Sequence, residues 1–146
     1  MRKLSVFFLL AMTTFAMAQE NKFVIKGEMT STALCYSKEN VKEVKLEHLV
    51  DGKTVTVATS SVENNKFVFE GNAPETVELY SITGFDNGSI QFFLEKGEIK
   101  VGPFDAAYPV AAKIGGTPCN DTYQSYIDLN SKCINESKAR MKAASL

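Results

Sequence analysis

The sequence contains no tryptophan, a single histidine, and no two cysteines in the spacing C-x-x-C. The missing C-x-x-C excludes the close thiol pair on which disulfide exchange and many zinc sites depend. A phosphate loop of the form G-x-x-x-x-G-K-[ST] and an aspartate-rich calcium loop are also missing. We therefore expect a chain that is not an enzyme by itself, with no catalytic residues, no metal site and no cofactor.

Positive charge is also scarce, because 16 basic residues stand against 17 acidic ones. A domain that binds nucleic acid usually carries a marked basic excess, since it must neutralise phosphates. The composition therefore predicts no nucleic-acid partner.

Long apolar runs are absent except near the start, at residues 6–12. Arg2 and Lys3 precede this run, and Ala16-Met17-Ala18 follows it as a small-x-small cleavage site. A membrane span needs about 20 apolar residues, and this run is shorter and is followed by two threonines. Residues 1–18 are therefore predicted to be a cleaved signal peptide.

Cleavage would leave one domain of ordinary size with a net charge of −3, since the leader holds two basic residues and no acidic one. We expect no membrane anchor after cleavage and a periplasmic or extracellular location.

Three cysteines are present, Cys35, Cys119 and Cys133, and an odd number in an exported protein leaves at least one thiol free or intermolecular. Cys119 and Cys133 would lie about 21 Å apart on one helix, too far to pair. A helix N-terminus would lower the pKa of Cys119, although a plain helix-start role also fits. Cys133, near the chain end, is the other candidate for a reactive or intermolecular thiol.

Residues 23–114 alternate apolar and polar side chains and are cut by turn signals about every ten residues. Asp51-Gly52 and Asn87-Gly88 are typical hairpin turns, and Lys96-Gly97 is predicted to reverse the chain from the strand at 90–94 to the next. A last short strand is expected in YPVAAKI. The pattern predicts an all-β domain, an antiparallel β-sandwich of about 7–9 short strands over residues 19–116. The expected inward residues include Ile25, Leu46, Phe67, Phe69 and Leu94.

After Gly115-Gly116 the apolar period becomes helical, and residues 117–146 are predicted to form a C-terminal helix or linker. Thr117 is expected to accept a hydrogen bond from the first free amides, and Pro118 suits the first helical position. The glycines then form a joint between strand and helix rather than a phosphate cradle. The apolar stripe thins after Ile134, so we expect docking up to about Ile127 and a projecting remainder.

The remaining candidate residues have plain structural interpretations. His48 alternates with core residues and is expected to be partly buried and hydrogen-bonded. Phe92 and Phe93 point to opposite faces of one strand, so one of them is either exposed or covered by the helix. The carboxylates that alternate with apolar residues are expected on solvated strand faces (Glu63, Glu70, Glu78, Glu95 and Glu98).

Three segments in this order, FVFEG (67–71), FFLEKGEIKV (92–101) and GGTPCNDTYQSY (115–126), resemble DUF4369, a domain common in exported proteins of Bacteroidetes. In that family the domain is typically the N-terminal module of thiol-disulfide interchange proteins. A thioredoxin-like domain with a Trp-Cys-x-x-Cys centre then follows. This sequence has no such centre, which leaves a stand-alone module or a truncated longer chain.

The resemblance implies a non-catalytic accessory domain of a thioredoxin-like thiol-disulfide interchange system. It would contribute docking, dimerisation or substrate presentation, with a thioredoxin-like domain or protein as partner and a homodimer as a further option. The alternative is a stand-alone carbohydrate- or peptide-binding module of the cell envelope, since an exposed aromatic on a sandwich would stack on sugars.

Overall fold

The computed structural model describes residues 21–30 and 41–145. The predicted signal peptide and Cys35 lie outside the described residues. Within these ranges, eight strands precede one long helix, as the alternation and the later change of period predict. The elements are β1 (Lys22–Thr30), β2 (Glu43–Val50), β3 (Lys53–Ser61), β4 (Lys66–Asn72), β5 (Glu78–Thr83), β6 (Ile90–Leu94), β7 (Gly97–Asp105), β8 (Ile114–Gly115) and α1 (Pro118–Ala144).

The strands form two four-stranded sheets that enclose one core. Sheet A has the order β4-β1-β7-β8, and sheet B has the order β3-β2-β5-β6. The predicted all-β sandwich with a C-terminal helix is therefore confirmed. The antiparallel expectation fails for one pair, because β1 and β7 run parallel, with Ile25 opposite Ile99.

Two predicted hairpins are present and a third is not. Asp51-Gly52 joins β2 to β3, and both turn residues have positive φ (50° and 76°), as a tight hairpin turn requires. The loop with Asn87-Gly88 joins the antiparallel pair β5 and β6. Lys96-Gly97 does not make a hairpin, because β6 belongs to sheet B and β7 to sheet A. A corner between two sheets and a hairpin within one sheet give the same alternation around a short turn.

The core between the sheets contains the predicted inward residues. Ile25 and Leu46 have no exposed surface, and Phe67, Phe69 and Leu94 are at most 3% exposed. Phe67 and Phe69 contact each other edge to face, with ring centroids 6.0 Å apart. The strand phase deduced from the sequence is therefore confirmed on both sheets.

Gly27 makes room for one of these two rings. A Cβ at this position would lie 2.0 Å from Cζ of Phe67, which is its register partner on β4. The absence of a side chain on β1 is thus what allows the Phe67 ring to lie across the strand and fill the core.

The end of the sandwich differs from the sequence expectation. The segment YPVAAKI does not form one strand, because Pro109–Ala111 makes a 3₁₀ turn before the two-residue strand β8. Pro109 provides the reason, since its fixed φ and missing N–H suit the first position of a turn and not a ladder.

Helix α1 packs on the sandwich only at its beginning. Tyr123, Gln124 and Ile127 are half-buried, whereas every residue from Asp128 to Ser145 is exposed. The predicted limit of docking at about Ile127 is confirmed. The remaining turns extend away from the domain over roughly 27 Å, at 1.5 Å per residue.

We expect Phe67→Ala and Phe69→Ala each to lower the free energy of unfolding by about 3–5 kcal/mol, because each leaves a cavity in the core. Val68→Ala on the same strand is the matched control, since Val68 is exposed, and should change stability by less than about 0.5 kcal/mol. Urea unfolding of the three variants measures these values. Losses below about 1 kcal/mol at both phenylalanines would contradict the assigned core.

Candidate functional site

The start of α1 is joined to strand β6, the free edge of sheet B, by the side chain of Asn120. Its Oδ1 accepts a hydrogen bond from the Phe93 amide (2.8 Å), and its Nδ2 donates to the Phe93 carbonyl (2.8 Å). The carboxamide thus pairs with the same two backbone groups that a neighbouring strand would use. Asn120 has no exposed surface, and its Nδ2 also donates to Thr117 Oγ1. The edge of sheet B is therefore closed at this point.

The first amides of α1 are capped by Glu95 and not by Thr117. Oε1 of Glu95 accepts hydrogen bonds from the amides of Cys119 (2.8 Å) and Asn120 (3.4 Å). Thr117 occupies the N-cap position but makes no side-chain cap bond. The predicted Thr117 cap is therefore wrong, because its hydroxyl accepts from Asn120 instead. The assignment of Glu95 to a solvated strand face is wrong as well, since its half-buried carboxylate faces the helix N-terminus.

Strand β8 is tied to the same helix by two further side chains. Asp121 Oδ1 accepts from the Gly116 amide (2.9 Å), and Gln124 Oε1 accepts from the Ile114 amide (2.8 Å). Gly116 has φ +97°, and a Cβ there would lie 2.4 Å from the Glu98 carbonyl oxygen. Gly115-Gly116 is thus a joint between strand and helix, and the Gly116 amide already has a protein partner.

One turn further along, an exposed ion pair between Lys113 and Asp128 closes the contact between helix and sandwich. The hydrogen bonds from Lys113 and Gln124 hold the pKa of Asp128 below its ordinary value. Beyond this pair every described residue of the helix is exposed.

Cys119 lies at the helix N-terminus, yet its pKa is raised and not lowered. The main cause is a hydrogen bond between the thiol and the Glu95 carboxylate, and desolvation and the negative charge of Glu95 act in the same direction. The expected activation of this thiol by the helix N-terminus is therefore wrong. The same carboxylate that caps the helix outweighs the helix dipole at this sulfur.

Cys133 lies on the projecting part of α1, where its side chain is exposed. Both described cysteines are free, and they lie on one helix, as the sequence predicts. Whether either thiol is reactive stays a prediction.

An open apolar groove of about 510 Å³ runs between the start of α1 and the outer face of sheet B. Phe93 forms its floor and contacts Tyr123 edge to face, with ring centroids 5.3 Å apart. Helix residues make one wall and Val77 the other (the helix residues are Pro118, Cys119, Thr122, Tyr123 and Tyr126). Phe92 is fully buried, so the predicted opposite orientation of the two phenylalanines holds, with the helix covering Phe93.

His48 belongs to a separate small cluster with Glu78 and Tyr80 at the start of strand β5. Its ring stacks on Tyr80 at 4.2 Å, and Nε2 lies 2.7 Å from Oε2 of Glu78. The expectation that His48 is partly buried and paired is confirmed. Burial and the charge of Glu78 raise the pKa of Tyr80.

Among the described residues, no group of three or more His, Cys, Asp or Glu side chains is arranged to hold a metal ion. No helix in the described ranges combines the length and hydrophobicity needed to cross a membrane.

Asn120 and Glu95 are the residues that sequence reasoning missed. Their partners lie 27 and 24 residues away, so no local pattern identifies these contacts. One signal was available in Thr117-Pro118-Cys119-Asn120, where a polar amide stands three residues after a predicted N-cap. That spacing resembles a capping box, with Asn in place of Glu or Gln.

We expect Asn120→Asp to destabilise the domain by about 2–4 kcal/mol, because it buries a charge and removes the donor to the Phe93 carbonyl. Asn130→Asp, the same change at an exposed site on the same helix, should cost less than about 0.5 kcal/mol. Hydrogen exchange of the Phe93 amide measures the local effect and should accelerate in Asn120→Ala. Unchanged protection of that amide would contradict the assigned contact.

Iodoacetamide in dilute solution, at about 1 µM protein and pH 8, should label Cys133 faster than Cys119. The raised pKa of Cys119 keeps its thiolate fraction low at this pH, and its side chain is half-buried. Glu95→Gln should lower the pKa of Cys119 and speed its labelling, whereas Glu98→Gln, whose side chain pairs with Lys26, should leave the rate unchanged. Mass spectrometry of labelled peptides gives both rates, and a Cys133 that resists labelling would show that the helix is covered along its whole length.

The comparisons agree with the resemblance found in the sequence. No match was found among curated proteins or among solved structures. A family model described as a domain of unknown function, DUF4369, matches residues 23–123. This range includes both sheets, the closed edge at Phe93 and the first turns of α1. The chain therefore belongs to the DUF4369 family.

Proposed function

We propose that this chain is an exported, non-catalytic accessory domain of a thioredoxin-like thiol-disulfide interchange system. Its contribution is a surface for association with another protein, and the sandwich is the rigid base that presents this surface. The partner is a thioredoxin-like domain or protein with a Trp-Cys-x-x-Cys centre. The proposed location is the periplasm or the extracellular space, after removal of residues 1–18.

The observation that carries this proposal is the uncovered length of α1. The helix has 27 residues, and only its first three turns contact the sandwich. A helical segment of about 18 residues without tertiary packing is marginally stable in water. Leu129 and Met141 on this segment, and Tyr126 just before it, nevertheless expose more than 60% of their surface. A second protein surface against this helix would supply the packing that the sandwich does not.

The alternative, a carbohydrate- or peptide-binding module, has less support from the geometry. It was motivated by an exposed aromatic residue on the sandwich. Phe92 is buried and Phe93 is already in contact with Tyr123, so neither ring offers a free flat face for a sugar.

Cross-linking in cells that naturally produce the protein tests the proposed partner. With disuccinimidyl suberate, we expect linked peptides that join lysines of α1 (Lys132, Lys138 and Lys142) to a protein containing Trp-Cys-x-x-Cys. The variant with these three lysines changed to arginine is the matched control, because it keeps the charge and removes the reactive amines. Links to the sandwich lysines, such as Lys22, should persist in that control.

Heteromeric links exclusively to proteins without a Trp-Cys-x-x-Cys centre would contradict the proposal. Saturable binding of glucan, mannan or xylan oligosaccharides in titration calorimetry would favour the alternative. The purified domain alone should not reduce insulin faster than a dithiothreitol control. Turnover that is lost in Cys119→Ser would show that the domain is catalytic by itself.

A further inference from the structure

One face of α1 carries a heptad pattern that continues from the groove to the end of the helix. Cys119, Tyr126, Cys133 and Arg140 recur at every seventh residue, and each is followed after three residues by a second member of the stripe (Thr122, Leu129, Glu136 and Ala143). At 3.6 residues per turn these positions form one stripe along the helix. Tyr126 and Leu129 are 64% and 62% exposed, so the stripe is uncovered where it is most apolar.

The charges of the helix differ between its two ends. Beyond Asp128, α1 carries one acidic residue, Glu136, and four basic residues (Lys132, Lys138, Arg140 and Lys142). Its start carries Asp121 and contacts the carboxylate of Glu95. Since the whole chain has 16 basic and 17 acidic residues, the part outside the basic segment has an acidic excess. The basic end of one molecule therefore complements the start of α1 in another molecule.

We propose that the partner seated on this face is a second copy of the chain, in a symmetric dimer whose two α1 helices pair antiparallel. The proposal rests on the proposed role of α1 as an association surface, although not on the thioredoxin-like partner. An antiparallel pair brings each basic end to the acidic start of the other helix. A parallel pair would place the two basic ends side by side, which is unfavourable.

The heptad positions fix the register of this pair. When the helices overlap over their full length, with the twofold axis at the level of Ser131, Leu129 of each copy packs against Cys133 of the other and Tyr126 lies against Glu136. Thr122 then faces Arg140, which lies beside Asp121 and Glu95 of the second copy. Cys119 faces Ala143, and Met141 lies at the level of Asp121 and Thr122, beside the apolar groove. The contact is noncovalent, because the two Cys133 residues are offset by about 6 Å along the axis.

Light scattering coupled to gel filtration tests the dimer on the purified mature chain. At about 100 µM protein we expect twice the monomer mass, and raising NaCl from about 50 to about 500 mM should weaken the dimer, because salt screens the charges. Labelling of Cys133 by iodoacetamide should become slower as the protein concentration rises from about 1 µM. A monomer at about 100 µM in low salt overturns the proposal.

Leu129→Ala should raise the dissociation constant about tenfold, since each dimer loses two buried leucines. Arg140→Glu should have an effect at least as large, because it places like charges together. Lys138→Ala is the matched control, since Lys138 lies nine residues after Leu129 and therefore on the opposite side of α1, and should leave the constant within about twofold. All three side chains are exposed in the monomer, so circular dichroism should show an unchanged fold, and equal effects of the three variants would overturn the assigned face.

Disulfide trapping tests the orientation. Ala143→Cys, in a chain that also carries Cys35→Ser and Cys133→Ser, leaves Cys119 as the only other thiol. Diamide accepts the two electrons and two protons of each disulfide. The antiparallel pair should give disulfides between Cys119 of one copy and the introduced thiol of the other. If disulfides form only between two Cys119 residues or only between two introduced thiols, the antiparallel orientation is overturned. Lys132→Cys in place of Ala143→Cys should give no such bond.

The outcomes separate the two proposals. A monomeric chain that still cross-links to a Trp-Cys-x-x-Cys protein would overturn the dimer and support the accessory function. A dimeric chain that does not cross-link to a Trp-Cys-x-x-Cys protein would support the dimer and overturn the accessory function.

Discussion

The pairing of the Asn120 carboxamide with the Phe93 backbone is the contact on which the rest of the arrangement depends. A sheet edge presents unpaired N–H and C=O groups, and these normally attract another strand. Here one buried side chain satisfies two of them. Because Asn120 is in the first turn of α1, the same bonds that close the edge also fix where the helix begins.

The Glu95 carboxylate adds an electrostatic contact to this junction between β6 and α1. Its carboxylate lies two residues beyond Phe93 and caps the amides of Cys119 and Asn120, so strand and helix are joined through both backbone and side chain. The same carboxylate raises the pKa of the Cys119 thiol. The geometry that holds the helix therefore also disfavours ionisation of its first cysteine.

The fixed start of α1 determines what the rest of the helix does. Hydrogen bonds and one ion pair hold it as far as Asp128, and the later turns have no sandwich surface beneath them. The apolar groove arises at the place where helix and sheet diverge, with the Phe93 ring at its floor. The exposed stripe that continues from this groove is the surface on which the proposed association depends.

The local sequence pattern determined most of the secondary structure of this protein and which residues face the core. Period-two alternation identified the strands and the inward phase of Phe67 and Phe69, because a buried sheet face requires apolar side chains at every second residue. Asp51-Gly52 specified its hairpin through backbone conformation alone, and the thinning of the apolar stripe after Ile134 indicated a helix that extends beyond the sandwich. The family resemblance rests on the same local segments.

Only the tertiary structure decided how the strands and the helix contact one another. The alternation around Lys96-Gly97 is the same for a hairpin and for a corner between sheets, so the parallel pairing of β1 with β7 could not be deduced. Glu95 resembled any solvated carboxylate, and Asn120 any polar residue of a helix. Their roles depend on partners more than 20 residues away, and a contact across that distance is set by the packing of the whole chain, which a local pattern does not contain.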